Sequence, residues 1–318
     1  MNSKDVYAPD CAFCQSRGAY LYRMGEYPVC QCVSCGTGFV HPMPDQETLR
    51  KLYDGFIPNL DAGRMPDRMK SASMLFPQLG LKPGNNLKML DIGGGGGFFC
   101  RAFEDLRYGA GTYVDIDRRS CCFARETMGL KAVLECDAMM LREHSCEKFD
   151  FIYCRHLIEH LPEPTVFLKV VAGFLAGGGI LVVQFPNADS LEYLAYAHLN
   201  IGYRFDKIRK SSDFSRWKTL YIMLAGGILH GMDPPRHIWA ISRKGITVWA
   251  RANRFACRSF ARHLGDPAFS PGYAMAKETR RRLRDFIGQK ILGPIKGGTH
   301  LVAILSRTPD NNRRGDPA

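Results

Sequence analysis

No stretch of about 20 consecutive apolar residues, the length a membrane-spanning helix needs, occurs in the 318 residues. The basic-then-apolar opening of a secretory leader is missing too, so the expected compartment is the cytoplasm. The most apolar segment outside the candidate strands, Leu220 to Leu229, is too short to span a bilayer. It reads as a buried helix, with contact to a membrane surface as the alternative. Acidic charge is scarce in one region only. Residues 1–84 carry 9 basic and 8 acidic side chains, residues 85–187 carry 11 and 13, and residues 188–318 carry 23 and 10. The net charge of +12 therefore lies in the last third. Such a field favours an anionic partner, whether a phosphate-bearing sugar, nucleic acid or an anionic membrane face; a solvated basic surface with no dedicated partner is the alternative. The run Arg280-Arg281-Arg282-Leu283-Arg284 reads as an exposed helix face.

Glycine is concentrated where it matters most. Leu87 to Phe99 reads Leu-Lys-Met-Leu-Asp-Ile-Gly-Gly-Gly-Gly-Gly-Phe-Phe, and Phe99, Phe103 and Leu106 then recur at helical spacing. The pattern predicts a strand, a tight turn and a helix. A turn without Cβ atoms lets the backbone approach a ligand, and the helix start beyond it offers unpaired N–H groups. The dinucleotide fingerprint Gly-x-Gly-x-x-Gly fails in every register, because its third glycine falls on Phe98, Phe99 or Cys100. The run satisfies acidic-x-Gly-x-Gly-x-Gly instead, as Asp91, Gly93, Gly95 and Gly97.

Two more acids follow at strand ends. Thr112 to Ile116 delivers Asp115 where a carboxylate can accept hydrogen bonds from both ribose hydroxyls, and Val133 to Ala138 delivers Asp137. Asp117 fits a solvated turn acid. Phe149 to Cys154 predicts a fourth strand, and Arg155-His156-Leu157-Ile158-Glu159-His160-Leu161-Pro162-Glu163-Pro164 follows it. Pro164 opens a helix; glycines 177 to 179 and the strand Ile180 to Phe185 come next. Across residues 85–187 this combination resembles the class I S-adenosylmethionine (SAM) methyltransferases. The resemblance implies an α/β, Rossmann-like, seven-stranded, mostly parallel sheet in the order 3-2-1-4-5-7-6. It also implies SAM as cofactor, held by Asp91, Gly93, Gly95, Gly97, Asp115, Ile116, Asp137, Ala138 and Arg155. In the family the third-motif acid, here Asp137, receives the adenine amino group.

Of the 12 cysteines, four form two Cys-x-x-Cys knuckles, Cys11/Cys14 and Cys32/Cys35, with 17 residues between the pairs. That spacing matches a structural, four-thiolate zinc ribbon over residues 1–44. Cys30 can stand in for Cys32, and His41 is a weaker reserve. Residues 38–53 are similar to the entry segment of zinc-ribbon sugar methyltransferases, and Tyr53 reads as a packing tyrosine or a substrate contact.

The remaining expectations concern the acceptor side. Residues 45–84 read as a linker helix or lid, helix-like over Glu47–Tyr53 with one or two further helical turns in 54–84, 188–234 as a helical substrate cap, 235–306 as the rest of the core with two closing antiparallel strands, and 307–318 as a disordered tail. Ser242 is the expected N-cap of a helix ending near Asn253. The segment Pro235-Arg236-His237 resembles a family segment in which sugar C-methyltransferases carry Glu-His. Arg236 in place of that glutamate favours O-methylation. A hydroxyl acceptor needs a base; His237 is the first candidate, with His156 and His160 as competitors. The reading is a SAM-dependent methyltransferase that transfers a methyl group by in-line displacement to a hydroxyl of a sugar or glycan, with an anionic nucleotide sugar as the small-molecule partner. An RNA methyltransferase and a non-catalytic assembly protein are the rivals.

Overall fold

A computed structural model describes residues 8–54, 58–189, 232, 234–262 and 300–308. The first strands are β1 (Gly18–Met24), β2 (Tyr27–Cys32) and β3 (Gly38–Val40), followed by helices α1 (Gln46–Asp54) and α2 (Met65–Gln78). Alternation then begins: β4 (Leu87–Ile92), α3 (Phe98–Asp105), β5 (Gly109–Asp115), α4 (Arg118–Glu126), β6 (Ala132–Glu135), α5 (Leu141–His144), β7 (Phe149–Arg155), α6 (Pro164–Ala172) and β8 (Leu175–Pro186). The chain closes with β9 (Trp239–Ala240), α7 (Arg243–Ala252), β10 (Phe255–Arg262) and β11 (His300–Arg307).

The larger sheet has seven strands in the order β10-β11-β8-β7-β4-β5-β6. Contacts from β6 through β8 are all parallel, and β11 pairs antiparallel with both β8 and β10. This is the Rossmann-like, mostly parallel arrangement expected. Met89, Leu90, Asp91 and Ile92 are consecutive and all buried, as a central strand covered on both faces requires.

Two expectations need correction. The supposed linker contains α2, a helix of 14 residues that buries Ser71, Ala72, Leu75 and Phe76. Its prolines misled: Pro66 sits in the first turn, where no N–H is missed, and Pro77 comes only at the last turn. Phe76 meets Phe99, Phe103, Tyr108 and Phe151 edge-on at 5.2–6.3 Å, so α2 belongs to the core beside α3. Nor is the cysteine-bearing module confined to the first 44 residues. Its sheet is β1-β2-β3-β9, and β9 comes from residues 239–240. Phe39 pairs with Trp239 in the antiparallel register and also contacts its ring.

That pairing makes one core of the module and the methyltransferase-like sheet: Phe13, Val29, Phe39, Trp239, Ile246, Ile152 and Val183 share one buried cluster. Ser242 caps α7 by accepting from Gly245 N, as expected, and also donates to Cys35 O at 2.6 Å. Asn253 caps its other end. The cap 190–231, the run at Arg280 and residues 309–318 of the tail lie outside the described residues.

Candidate active site

The glycine loop occupies the carboxyl end of β4, beside the parallel neighbours β5 and β7. Gly93, Gly95, Gly96 and Gly97 all have positive φ, between 63° and 103°. A Cβ on Gly97 would meet Leu130 Cδ1 at 2.6 Å, whereas one on Gly95 would meet nothing within 4 Å. The loop is thus closed toward the core at Gly97 and open at Gly95. Under Gly94 lies the Asp91 carboxylate, fully buried. Neither of its oxygens has a hydrogen bond of good geometry among the described residues, although Cys100 N–H lies near enough to lower the pKa. Burial dominates and pushes the Asp91 carboxyl up to about 7.

Asp115 ends β5 and is tied directly to this loop. Gly96 N donates to the Tyr113 hydroxyl at 2.9 Å, and that hydroxyl donates to Asp115 Oδ2. Asp115 Oδ1 accepts from Asp117 N at 2.9 Å. Burial raises the Asp115 pKa, opposed first by the Tyr113 hydrogen bond. Tyr113 was not singled out in the sequence. Its signal was there, because residues i and i+2 of a strand share a face. Asp117 is the N-cap of α4, accepting from Ser120 N. Ile116 is 69% exposed next to Asp115, Asp137 caps a short turn through Met139 N, and Ala138 follows it half-buried. Arg155 stands over the Phe99 ring at 5.4 Å and lowers the Asp91 pKa by its charge.

These residues fit the adenosyl cofactor expected there: a buried carboxylate lacking well-formed partners, an open positive-φ glycine and a strand-end acid bonded to the loop.

Beside the loop stands a histidine cluster. Leu157 packs against Gly93, its Cδ2 lying 3.1 Å from the place a Cβ would take. On one side of Leu157, His156 has φ +50°, a strained value for a side-chain-bearing residue. Its N–H donates to Gln184 O at 2.8 Å. Its Nδ1 lies 2.8 Å from Glu159 Oε1 and its Nε2 lies 3.4 Å from Gln184 Nε2. With the carboxylate accepting, the proton sits on Nδ1 and the Gln184 amide donates to Nε2. Glu159 is fully buried, and its Oε2 has no hydrogen-bond partner among the described residues.

His160 Nδ1 is 2.8 Å from Arg236 O, and its ring lies 4.8 Å from that of His237. His237 is 8% exposed, and burial pushes its imidazole down to about 3. His300, at the start of β11, packs edge-on against His156 at 4.7 Å. Tyr53 donates its hydroxyl to His160 O at 3.3 Å, and burial pushes that hydroxyl up to about 12. The structure therefore brings His156, His160 and His237 into one cluster. It adds Glu159, Gln184 and His300, to which the sequence assigned no role.

The four knuckle cysteines also converge. The Sγ atoms of Cys11, Cys14, Cys32 and Cys35 all lie within 4.8 Å of one another, with Cys14 and Cys32 at 3.3 Å. Cys32 belongs to this set and Cys30 does not. The hydrogen bond with Cys11, opposed by burial and aided by Thr37, pulls the Cys35 thiol well below the usual thiol range. Such a donor set suits a closed, tetrahedral metal site.

A Rossmann-like sheet with a glycine turn at β4 and an acid at the end of β5 defines the class of protein. The family model for a methyltransferase domain matches residues 63–259, and the chain belongs to that family. The match takes in α2, in keeping with its packing on the core. A ubiquinone biosynthesis O-methyltransferase of Coxiella burnetii (strain Dugway 5J108-111) is 29% identical over 128 residues, 39% of this chain and 53% of that protein. The Caulobacter sp. (strain K31) protein of the same name is 30% identical over 129 residues, 39% of this chain and 50% of its own. The chain thus spans about half the length of these curated relatives. Among solved structures, the plantazolicin methyltransferase BamL, in complex with a triazolic desmethylPZN analogue and SAH, aligns with a TM-score of 0.46 at 12% identity over 84% of this chain and 92% of BamL. A SAM-dependent methyltransferase from Archaeoglobus fulgidus aligns at 0.40 with 20% identity, covering 76% of this chain and 94% of that one. No helix among the described residues is long and apolar enough to cross a membrane.

Proposed function

We propose that the chain is a class I SAM-dependent methyltransferase acting on a hydroxyl of a sugar or glycan, with a nucleotide sugar as the first acceptor to test. The observation that carries the cofactor reading is the Gly96–Tyr113–Asp115 relay, which fixes the ribose acid against the glycine loop. SAM, when bound, supplies an electrophilic methyl group on a sulfonium. Gly93, Gly95 and Gly97 form the cradle, Asp115 receives the ribose hydroxyls, and Asp91 offers negative charge beneath the loop. Ile116, Asp137 and Ala138 flank the adenine side, and Arg155 braces Asp91.

Oxygen as the methylated atom is supported by the curated relatives, which are named as O-methyltransferases, and by Arg236 where a C-methylating enzyme would have glutamate. The base in this reading is His156. Glu159 holds its Nδ1 proton and orients the ring, leaving Nε2 to accept the hydroxyl proton once the long Gln184 contact yields. His237 is the more enclosed of the two and helps to wall the pocket. The four thiolates hold a structural zinc ion, and β9 carries the rigidity of that ribbon to His237. In domain terms the ribbon is residues 1–44 with β9 as its fourth strand, and the rest of 235–306 belongs to the core.

Incubation of the purified chain with methyl-labelled SAM and a panel of nucleotide sugars tests the reading. Label on a sugar hydroxyl is the expected result. Label recovered only in RNA would overturn the acceptor class while leaving the cofactor site standing.

A further inference from the structure

We infer that Glu159, His160 and His237 form a binding site for a first-row divalent transition metal ion, separate from the cysteine cluster and beside the glycine loop. One ligand atom from each of the three lies within 4.8 Å of the others. Bonds to nitrogen and oxygen of about 2.0–2.2 Å bring ligand atoms on one tetrahedral ion to about 3.4 Å apart, so a modest inward turn of the rings closes the set.

Three features point to a ligand. Glu159 is fully buried, and its Oε2 has no hydrogen-bond partner among the described residues while Oε1 is engaged by His156. A carboxylate oxygen left so in the interior costs stability unless something positive meets it. His160 offers Nδ1 to the backbone carbonyl of Arg236 at 2.8 Å. That outer bond fixes the tautomer with Nε2 able to ligate, as is usual for metal-bound histidines. The third ligand, His237, comes from the segment that β9 clamps to the ribbon, and Ile238 N donates to Glu159 O at 2.9 Å.

Two imidazoles and one carboxylate suit zinc, cobalt or iron better than magnesium or calcium, which prefer all-oxygen sets. With three protein ligands a fourth position stays open. An acceptor hydroxyl bound there would ionise more readily, and His156, held by the other oxygen of Glu159, would stand next to it.

The site is tested with cobalt(II) alone, added to full-length chain whose four thiolates already hold zinc. Neither SAM nor acceptor is present, so failure here leaves the methyl-transfer reading untouched. The expected result is one cobalt per chain with weak visible bands of nitrogen and oxygen ligation. Cobalt X-ray absorption should give a first shell near 2.1 Å, with no sulfur at about 2.3 Å. His160→Gln and His237→Gln should each weaken uptake at least 10-fold. Two results would overturn the proposal: no cobalt beyond exchange into the thiolate site, reported by sulfur in the shell, or extra cobalt bound equally well by both variants. The absorption measurement on unaltered chain decides the matter even if a variant fails to fold.

Discussion

At the carboxyl end of β4 a single stretch, residues 91–97, provides the turn, the open cradle and the buried acid, and the next strand adds Asp115. At the ends of β7 and β8, by contrast, the histidine cluster draws on Tyr53, residues 156–160, Gln184, residues 236–237 and His300. The first region depends on local backbone conformation, the second on segments held in place by tertiary pairing. Damage should follow that distinction. Changes in the loop act on the cofactor or on the core beneath it, while changes far from the cluster, even in the ribbon, can disperse it.

The largest effect should come from stripping metal from the four cysteines, or from Cys11→Ser. Structural zinc contributes apparent binding energy on the order of 10 kcal/mol or more in comparable small modules. Hydrogen exchange should then show protection lost over residues 27–40 and also at Ile238, whose neighbour Trp239 pairs with Phe39, with β4, β5 and β7 still protected. If Ile238 stays protected, the ribbon does not hold the histidine segment.

Next in size, His156→Ala should lower kcat by roughly 10²- to 10⁴-fold, the usual contribution of a general base, with SAM affinity unchanged. Equal losses in kcat and SAM affinity would move His156 to the cofactor side of the comparison.

In the loop itself, the raised Asp91 carboxyl gives a pH signature. Its folded pKa of about 7 stands above the unfolded value of 3.8. The cofactor-free protein should therefore have the associated stability in full below pH 3.8 and lose it as pH rises through 7, by on the order of 4 kcal/mol. Asp91→Asn should remove that slope in denaturant titrations between pH 5 and 9 while weakening SAM binding. A slope that persists in the variant would assign it to other groups.

The smallest contrast separates neighbouring glycines. Gly97→Ala adds core overlap with Leu130 to left-handed strain and should cost about 2–5 kcal/mol. Gly95→Ala carries the strain alone, about 1–2 kcal/mol, yet should lower SAM affinity more than Gly97→Ala lowers it in whatever fraction folds. Thermal melts with and without SAM read both quantities.

These contrasts also explain what could be read without coordinates. The glycine loop, Asp115 and the cysteine quartet depend on spacing within one stretch or two knuckles, and spacing is visible in a sequence. Helix α2 was obscured because prolines at its first and last turns look like breaks when its packing against Phe103 and Phe151 is unseen. The addition of β9 to the ribbon joins residues some 200 positions apart, and nothing in a two-residue strand announces its partner. His156 and His237 could be named as candidates from their segments. Their surroundings could not, because the Glu159 hydrogen bond and the enclosure of His237 arise only when β7, β8 and the post-insert segment meet.

Calorimetric titration of SAM into the full-length chain tests the central claim most directly. The account predicts one site per chain, and a loss of roughly 10- to 100-fold in affinity for Asp115→Asn as charge-assisted hydrogen bonds are weakened. Absence of binding to the unaltered chain, or equal affinity in the variant, would contradict it.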